Sequence, residues 1–406
     1  MFHRWMFARA LVALLAFTAL LAPSHAIPTM YRAGFARWRA AEGGFAGWQQ
    51  SGTLVGSDGA LRVASATALP GTDPYPPGGY SGGNFYNGGS FFVGEAVGPV
   101  TAASFGFRQA IVSWNAETPA GTWIETQLRA NISGRWTKWY NLGVWASDGS
   151  TVARHSVSGQ GDGDGTVSVD TVVLSAKKTA GSAFQVKLRL FSETVGATPL
   201  VRNAGVAYST TPSAPDALVA GDPSRWNRSL AVPECSQMVY PDGGNVWCSP
   251  TSTSMVLAYW QGATGACEPR VRAAVEGTYD WIYDGHGNWP FCAAYPGAQG
   301  LEAYVARFTS LAQAEAWIAA GVPVVLSYGW GVGDLDGAPV PSSNGHLTVL
   351  VGFDADGDPI INDPAAANDA DVQRTYRRDQ IEPLWLGHSG GTVYLIYPAG
   401  TPTPSL

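Results

Sequence analysis

Between residues 27 and 210, apolar and polar positions alternate in short runs, namely Ala110 to Trp114, Thr122 to Arg129, Gly134 to Tyr140, Val167 to Leu174 and Phe184 to Leu190. Clusters of Gly, Asn, Asp and Ser separate them. A period of two bounded by turn residues predicts antiparallel strands, and their regular spacing predicts an all-β sandwich or jelly roll. No helix of convincing length and period appears in this part, except that the stretch from Tyr31 to Gln50 is ambiguous. Thr211 to Asp216 is punctuated by proline and, with the stretch to Val232, reads as a linker at residues 211–232.

The pattern then changes. Residues 233–400 mix helical and strand periods and end in a short tail at 401–406. Met255, Val256, Tyr259 and Trp260 recur at helical spacing after Cys248, a second helix is predicted over Glu268 to Val275, and a third over Leu311 to Ala320. Ser310 with Gln313 can cap the third helix, and Gly321 stands where it should stop. Strands are expected at Val322 to Tyr328, Leu347 to Phe353, Pro359 to Asn362 and Thr392 to Tyr397. Helices first and sheet afterwards make an α+β order.

The beginning of the chain refines this picture. Met1 to Arg9 is basic, Ala10 to Leu21 is apolar, and Ser24, His25 and Ala26 form a small-x-small signature. We read residues 1–26 as a signal peptide, with a mature chain that is secreted, extracellular or periplasmic, and has no membrane span. Hydrophobic residues make up 46% of the 406 positions, enough for real cores in about two domains. A net charge of -7 without a Lys/Arg block argues against nucleic acid as a partner.

Two loops invite a metal. Gly161 to Gly165 and Asp354 to Asp358 carry paired aspartates, yet both lack the spaced ligand set that ends in a bidentate Glu. They read as turns, and we assign no metal and no cofactor. The segment Tyr75 to Phe92 and Trp123, Trp136, Trp139 and Trp145 could offer stacking platforms for a glycan, or could fill the sandwich core.

Candidate chemistry begins at Cys248. It precedes Pro250 and a run of small hydroxyl residues, which places it at a helix N-terminus. Unsatisfied N–H groups and the helix dipole favour an anion there, so a thiol at that point is predicted to ionise readily. Asn344, Gly345 and His346 open one strand, and Asn362, Asp363 and Pro364 close the next across the Asp354 to Asp358 turn. A hairpin brings His346 and Asp363 to the same end, where a carboxylate can fix the imidazole tautomer and leave the other nitrogen for the thiol proton. Gln237 can supply an amide donor for a tetrahedral oxyanion beside the N–H of Cys248.

Gln237, the run Cys248 to Ser252, Gly345-His346 and Asn362 to Pro364, in that order, resemble the papain-like cysteine peptidases related to the bacterial bacteriocin-processing, double-glycine-leader peptidases. The resemblance covers roughly Val232 to Tyr397. It implies a helical lobe carrying the thiol against an antiparallel sheet carrying His and Asp. It also implies Cys248 as nucleophile, His346 as general base, Asp363 as orienter and Gln237 as oxyanion donor. The membrane-spanning and ATP-binding parts of leader-processing members have no counterpart here, so removal of leaders during export is not the expected job. We expect hydrolysis of a peptide or related amide bond in a peptide or protein substrate, with the β domain free to contact a glycan or a cell surface. Acyl transfer by the same triad and a non-catalytic binding protein are the alternatives. With Cys248 free, Cys267 and Cys292 are the expected disulfide; a Cys235 to Cys248 bridge would satisfy the even count and abolish the nucleophile.

Overall fold

In the computed structural model, which describes residues 31–406, the alternating runs pair into two antiparallel sheets. The expected signal segment lies outside the described residues. One sheet centres on the strands Gln109–Glu117 and Leu200–Ser209, the other on Thr122–Ile132 and Gly181–Ser192. Their inner faces meet in a core that includes Trp114, Leu128, Val186, Leu188 and Val206, all fully buried. That is the sandwich that period-two alternation demands, since every second residue of each strand must leave water.

Two expectations about single strands need correction. Gly134 to Tyr140 is not one strand: Arg135–Trp136 pairs briefly, and the next strand begins at Tyr140. Val167 to Leu174 is a hairpin, Gly165–Ser168 against Thr171–Leu174, with Ser168 opposite Thr171. Its two-residue loop puts Val169 at φ 55°, where glycine is the usual choice, so the sequence carries no turn signal. The ambiguous Tyr31 to Gln50 segment supplies the strand Ala33–Arg39, which pairs with Leu200–Ser209. Trp123 and Trp145 are core residues, whereas Trp136 and Trp139 are half-buried and stack on the Arg129 guanidinium at 4.7 and 4.5 Å.

Beyond Arg228, a third antiparallel sheet runs in the order Glu302–Arg307, Thr392–Tyr397, Val324–Trp330, Ser343–Phe353, Pro359–Asn362 and Gln373–Thr375. Five helices accompany it: α1 (Cys248–Gln261), α2 (Glu268–Thr278), α3 (Trp289–Ala298), α4 (Leu311–Ala319) and α5 (Arg378–Ser389). Val324 and Leu326 face Trp317 and Trp385 of α4 and α5, while Val325 faces Met255 and Val271 of α1 and α2. Burial on both faces explains why these strands read as continuous apolar runs instead of alternating ones.

Helices α3 and α5 fall outside the sequence expectation. Both contain an internal proline, Pro296 and Pro383, which reads as a breaker. In α3 the Asn288 side chain accepts from Phe291 N at 3.2 Å and Pro290 fits the first turn. In α5, burial of Ile381, Trp385 and Leu386 holds the helix despite the lost backbone donor. The stretch from Gly262 to Gly297 is therefore helical over Glu268–Thr278 and again from Trp289 onward.

The sandwich and the third sheet share an interior. Glu302–Arg307 is an edge strand, and its free side is met by side chains of Gln109–Glu117: Asn115 bonds both the carbonyl and the N–H of Ala303, and Ser113 Oγ accepts from Val305 N at 3.2 Å. An exposed strand edge is thus covered. Phe291 of α3 sits in the sandwich core, with ring centroids 5.3 Å from Trp145 and 6.1 Å from Trp114. Gly143 lies under it, and a Cβ there would come within 3.1 Å of the Phe291 ring.

Candidate active site

Cys248 is the first residue of α1, so its N–H belongs to the orphan donors of a helix start. The helix is buried from Ser249 through Ala258, and its hydroxyls fix it against the sheet. Ser252 Oγ donates to the carbonyl of Leu347 at 3.0 Å, one residue from His346, and Ser249 Oγ lies 2.9 Å from Tyr394 Oη. These bonds set the distance between the thiol and the His346 strand.

His346 lies in the Ser343–Phe353 strand and Asp363 just after Pro359–Asn362, in a ladder where Val349 faces Asn362. As the hairpin argument requires, the two side chains meet: Nε2 of His346 is 2.7 Å from Oδ1 of Asp363, both buried. Asp363 also accepts from Tyr376 Oη at 2.6 Å through Oδ2 and from Ala365 N at 2.9 Å. Nε2 being taken, Nδ1 is the nitrogen left for Cys248, which lines the same cleft and is close enough to influence the ring electrostatically.

The electrostatics single out this histidine. Burial opposes a charged ring at His346, but the Asp363 carboxylate, its hydrogen bond and the contact with Cys248 outweigh it and hold the imidazole above its ordinary range. Burial likewise works to raise Asp363, yet His346, Tyr376 and the Ala365 N–H hold its carboxyl below the usual value. Two further histidines line the same cleft. Burial pushes His286 down to about 4 and also depresses His388, so neither is favoured as a cation.

Gln237 is buried and lines the cleft with Cys248 and His346. Its backbone N–H donates to Pro364 O at 2.8 Å, tying it to the Asp363 segment, and its Nε2 donates to Gly244 O at 2.7 Å. Oε1 is buried without a partner. The Tyr240 to Asn245 loop closes on Gln237 so tightly that a Cβ on Gly244 would stand 1.9 Å from the Gln237 carbonyl oxygen, which only glycine permits.

Three of the four residues singled out in the sequence, Gln237, Cys248 and His346, therefore border one cleft of about 770 Å³, and Asp363 stands behind His346. Its other walls include Met238, Val246 and Tyr283, which are exposed apolar residues, and Trp289. Sequence reasoning did not find Tyr376, which no motif marks, nor Trp330, whose ring lies 5.5 Å from that of His346. Among the described residues no group of His, Cys, Asp and Glu has the arrangement of a metal site.

The cysteine pairing differs from expectation. Cys235 bonds Cys267, with Cα atoms 5.7 Å apart, and Cys292 is free. The physical reason is the unforeseen α3: it carries Cys292 inward, where its sulfur contacts Ser249 Oγ at 2.9 Å and His286 O at 3.2 Å. Burial pushes that thiol up to about 12, so Cys292 is no rival nucleophile. Cys248 stays free and partly exposed.

Comparison with known proteins fits this geometry. Residues 34–209 match the family described as Peptidase C39 N-terminal domain, and residues 229–393 match the Peptidase_C39 like family. No curated protein sequence matches the chain. A solved family two carbohydrate esterase from Cellvibrio japonicus aligns at 14% identity with a TM-score of 0.19, covering 56% of this chain and 50% of that one, and at that score it carries no argument. Along both of its parts, this chain is a relative of the C39 peptidases.

Proposed function

We propose that this chain is a secreted, papain-like cysteine peptidase that hydrolyses peptide bonds through Cys248, His346 and Asp363, with Gln237 as oxyanion donor. The observation that carries the reading is the 2.7 Å bond between His346 Nε2 and Asp363 Oδ1, which leaves Nδ1 to Cys248 in the same cleft. Asp363 holds the ring orientation and favours the imidazolium form. The Cys248 proton passes to Nδ1, and the sulfur attacks the scissile carbonyl carbon. The negative charge that develops on oxygen is met by the Cys248 N–H and the second Nε2 hydrogen of Gln237. Collapse expels the amine, which takes the proton from His346. Water then gives a proton to Nδ1 and its oxygen to the thioester carbon, releasing the acid and restoring the thiol.

The test is peptide mapping after brief iodoacetamide exposure in mildly acidic buffer without reductant. Selective alkylation at Cys248, lost in His346→Ala, is expected. An unreactive Cys248, or one whose labelling ignores His346, sinks the proposal and favours a binding protein on a peptidase scaffold.

A further inference from the structure

The cleft is not bordered by peptidase elements alone. Ser168, Val169, Asp170 and Thr171, the tip of the sandwich hairpin Gly165–Ser168 and Thr171–Leu174, line the same cleft as Cys248, Gln237 and His346. This tip is built to stay in place. Asp170 is buried, its Oδ2 accepts from Trp289 N at 2.7 Å at the start of α3, and its Oδ1 accepts from Thr171 Oγ1 at 2.8 Å. With Asp170 turned down onto α3, the remaining loop residue, Val169, is half-buried at the cleft wall and held at φ 55°.

A β-branched residue rarely adopts that conformation, and glycine would adopt it freely. Chain folding alone does not call for valine here. The tip also lies near the chemistry: the phenol of Tyr283, raised first by burial, is raised further by Asp170 and by Cys248, so Tyr283 is within electrostatic range of both. Tyr283, Trp289 and Val169 together give this end of the cleft an apolar lining, and no Lys or Arg lines the cleft.

We propose that Val169 is a specificity-determining residue, through which the N-terminal sandwich forms one wall of the substrate cleft and limits the bulk of the group that reaches Cys248. The proposal rests on the peptidase reading for its biological meaning, but its test does not need a substrate.

Alkylation rates at Cys248, assigned by peptide mapping, are measured with iodoacetamide and with the far bulkier fluorescein-5-maleimide in wild type, Val169→Gly and Val169→Trp. The bulky-to-small rate ratio is expected to rise several-fold in Val169→Gly and to fall in Val169→Trp. Val169→Gly should also keep or raise the thermal midpoint, because it relieves a strained φ, which separates a wider cleft from a loosened fold. The same ratio in all three chains, or a gain that comes with a lowered midpoint, overturns the wall. Failure of the catalytic reading shows up elsewhere, as wild-type iodoacetamide labelling that does not depend on His346, and leaves the ratio measurable.

Discussion

Asn115 of the sandwich donates its side-chain amide to the carbonyl of Ala303 at 2.6 Å and accepts the Ala303 N–H at 3.1 Å, so that it serves the edge of the third sheet as a neighbouring strand would. All the groups are buried, and Asn203 Nδ2 donates to Asn115 Oδ1 at 2.9 Å to hold it in place. Asn115→Ala strands two buried donors, Ala303 N and Asn203 Nδ2, and one buried acceptor, Ala303 O, each costing about 1–3 kcal/mol. With Phe291 buried among sandwich residues, the loss is shared by both halves. Calorimetry should show one transition moved to lower temperature; two separate transitions, with only one of them moved, would contradict this.

His346 above its ordinary range and Asp363 below its own are two sides of one ion pair. The raised imidazole contributes stability that is complete below the pKa of a free histidine and is lost as pH rises through the raised value. The depressed carboxyl contributes stability that is complete above an ordinary carboxylate pKa and is lost as pH falls through the lowered value. Asp363→Asn removes the larger of the influences that raise His346 and leaves burial, which lowers it, opposed by Cys248 alone. An NMR titration of the His346 ring should move to lower pH in the variant, and an unmoved midpoint would refute the pairing.

Gln237 can be separated from the nucleophile by the kind of reaction used to probe it. Peptide hydrolysis builds charge on the carbonyl oxygen, and losing one donor to that charge costs about 10²–10³ in kcat. Iodoacetamide alkylation builds no such oxyanion. Gln237→Ala should therefore slow turnover of a peptide substrate by about that factor while Cys248 alkylates at the wild-type rate. Equal losses in both assays would make Gln237 a structural residue, held for its bonds to Pro364 and Gly244.

Asp170 is a buried acid raised to about 6, chiefly by burial. A carboxyl raised in the folded state destabilises the fold when ionised, so stability falls as pH rises through that value and recovers on acidification toward the ordinary carboxylate range. Asp170→Asn keeps an acceptor for Trp289 N and removes the buried charge. It should stabilise at neutral pH, on the order of 2 kcal/mol, with the difference shrinking toward pH 4. Denaturant unfolding at both pH values checks this; a variant that is less stable at neutral pH would show that the Trp289 bond needs the charge.

The sandwich and the meeting of His346 with Asp363 were legible because each follows from local pattern, whereas the expected order of helices before sheet is broken, since Leu311–Ala319 and Arg378–Ser389 lie between strands of the third sheet. Alternation fixes which strand faces go inward, and a short turn between two strands fixes which ends are adjacent. Strands Pro359–Asn362 and Thr392–Tyr397 have the bounds the pattern predicts. The hairpin at Val169 and the helices α3 and α5 were hidden for the opposite reason: tertiary partners override local preference there. Asp170 accepting from Trp289 N holds a turn without glycine, and buried Trp385 and Leu386 hold a helix through a proline.

The sequence by itself determined the residue types of the site, Cys248 at a helix start, His346 and Asp363 on neighbouring strands and Gln237 upstream, since thiol chemistry needs those groups in an order that strand pairing can close. Only the tertiary structure decided that Cys235 joins Cys267 and that the sandwich shares its core and its hairpin tip with the peptidase half. Disulfide choice and the fit between two packed surfaces depend on contacts between residues far apart in the chain. No periodicity within a short window carries that information.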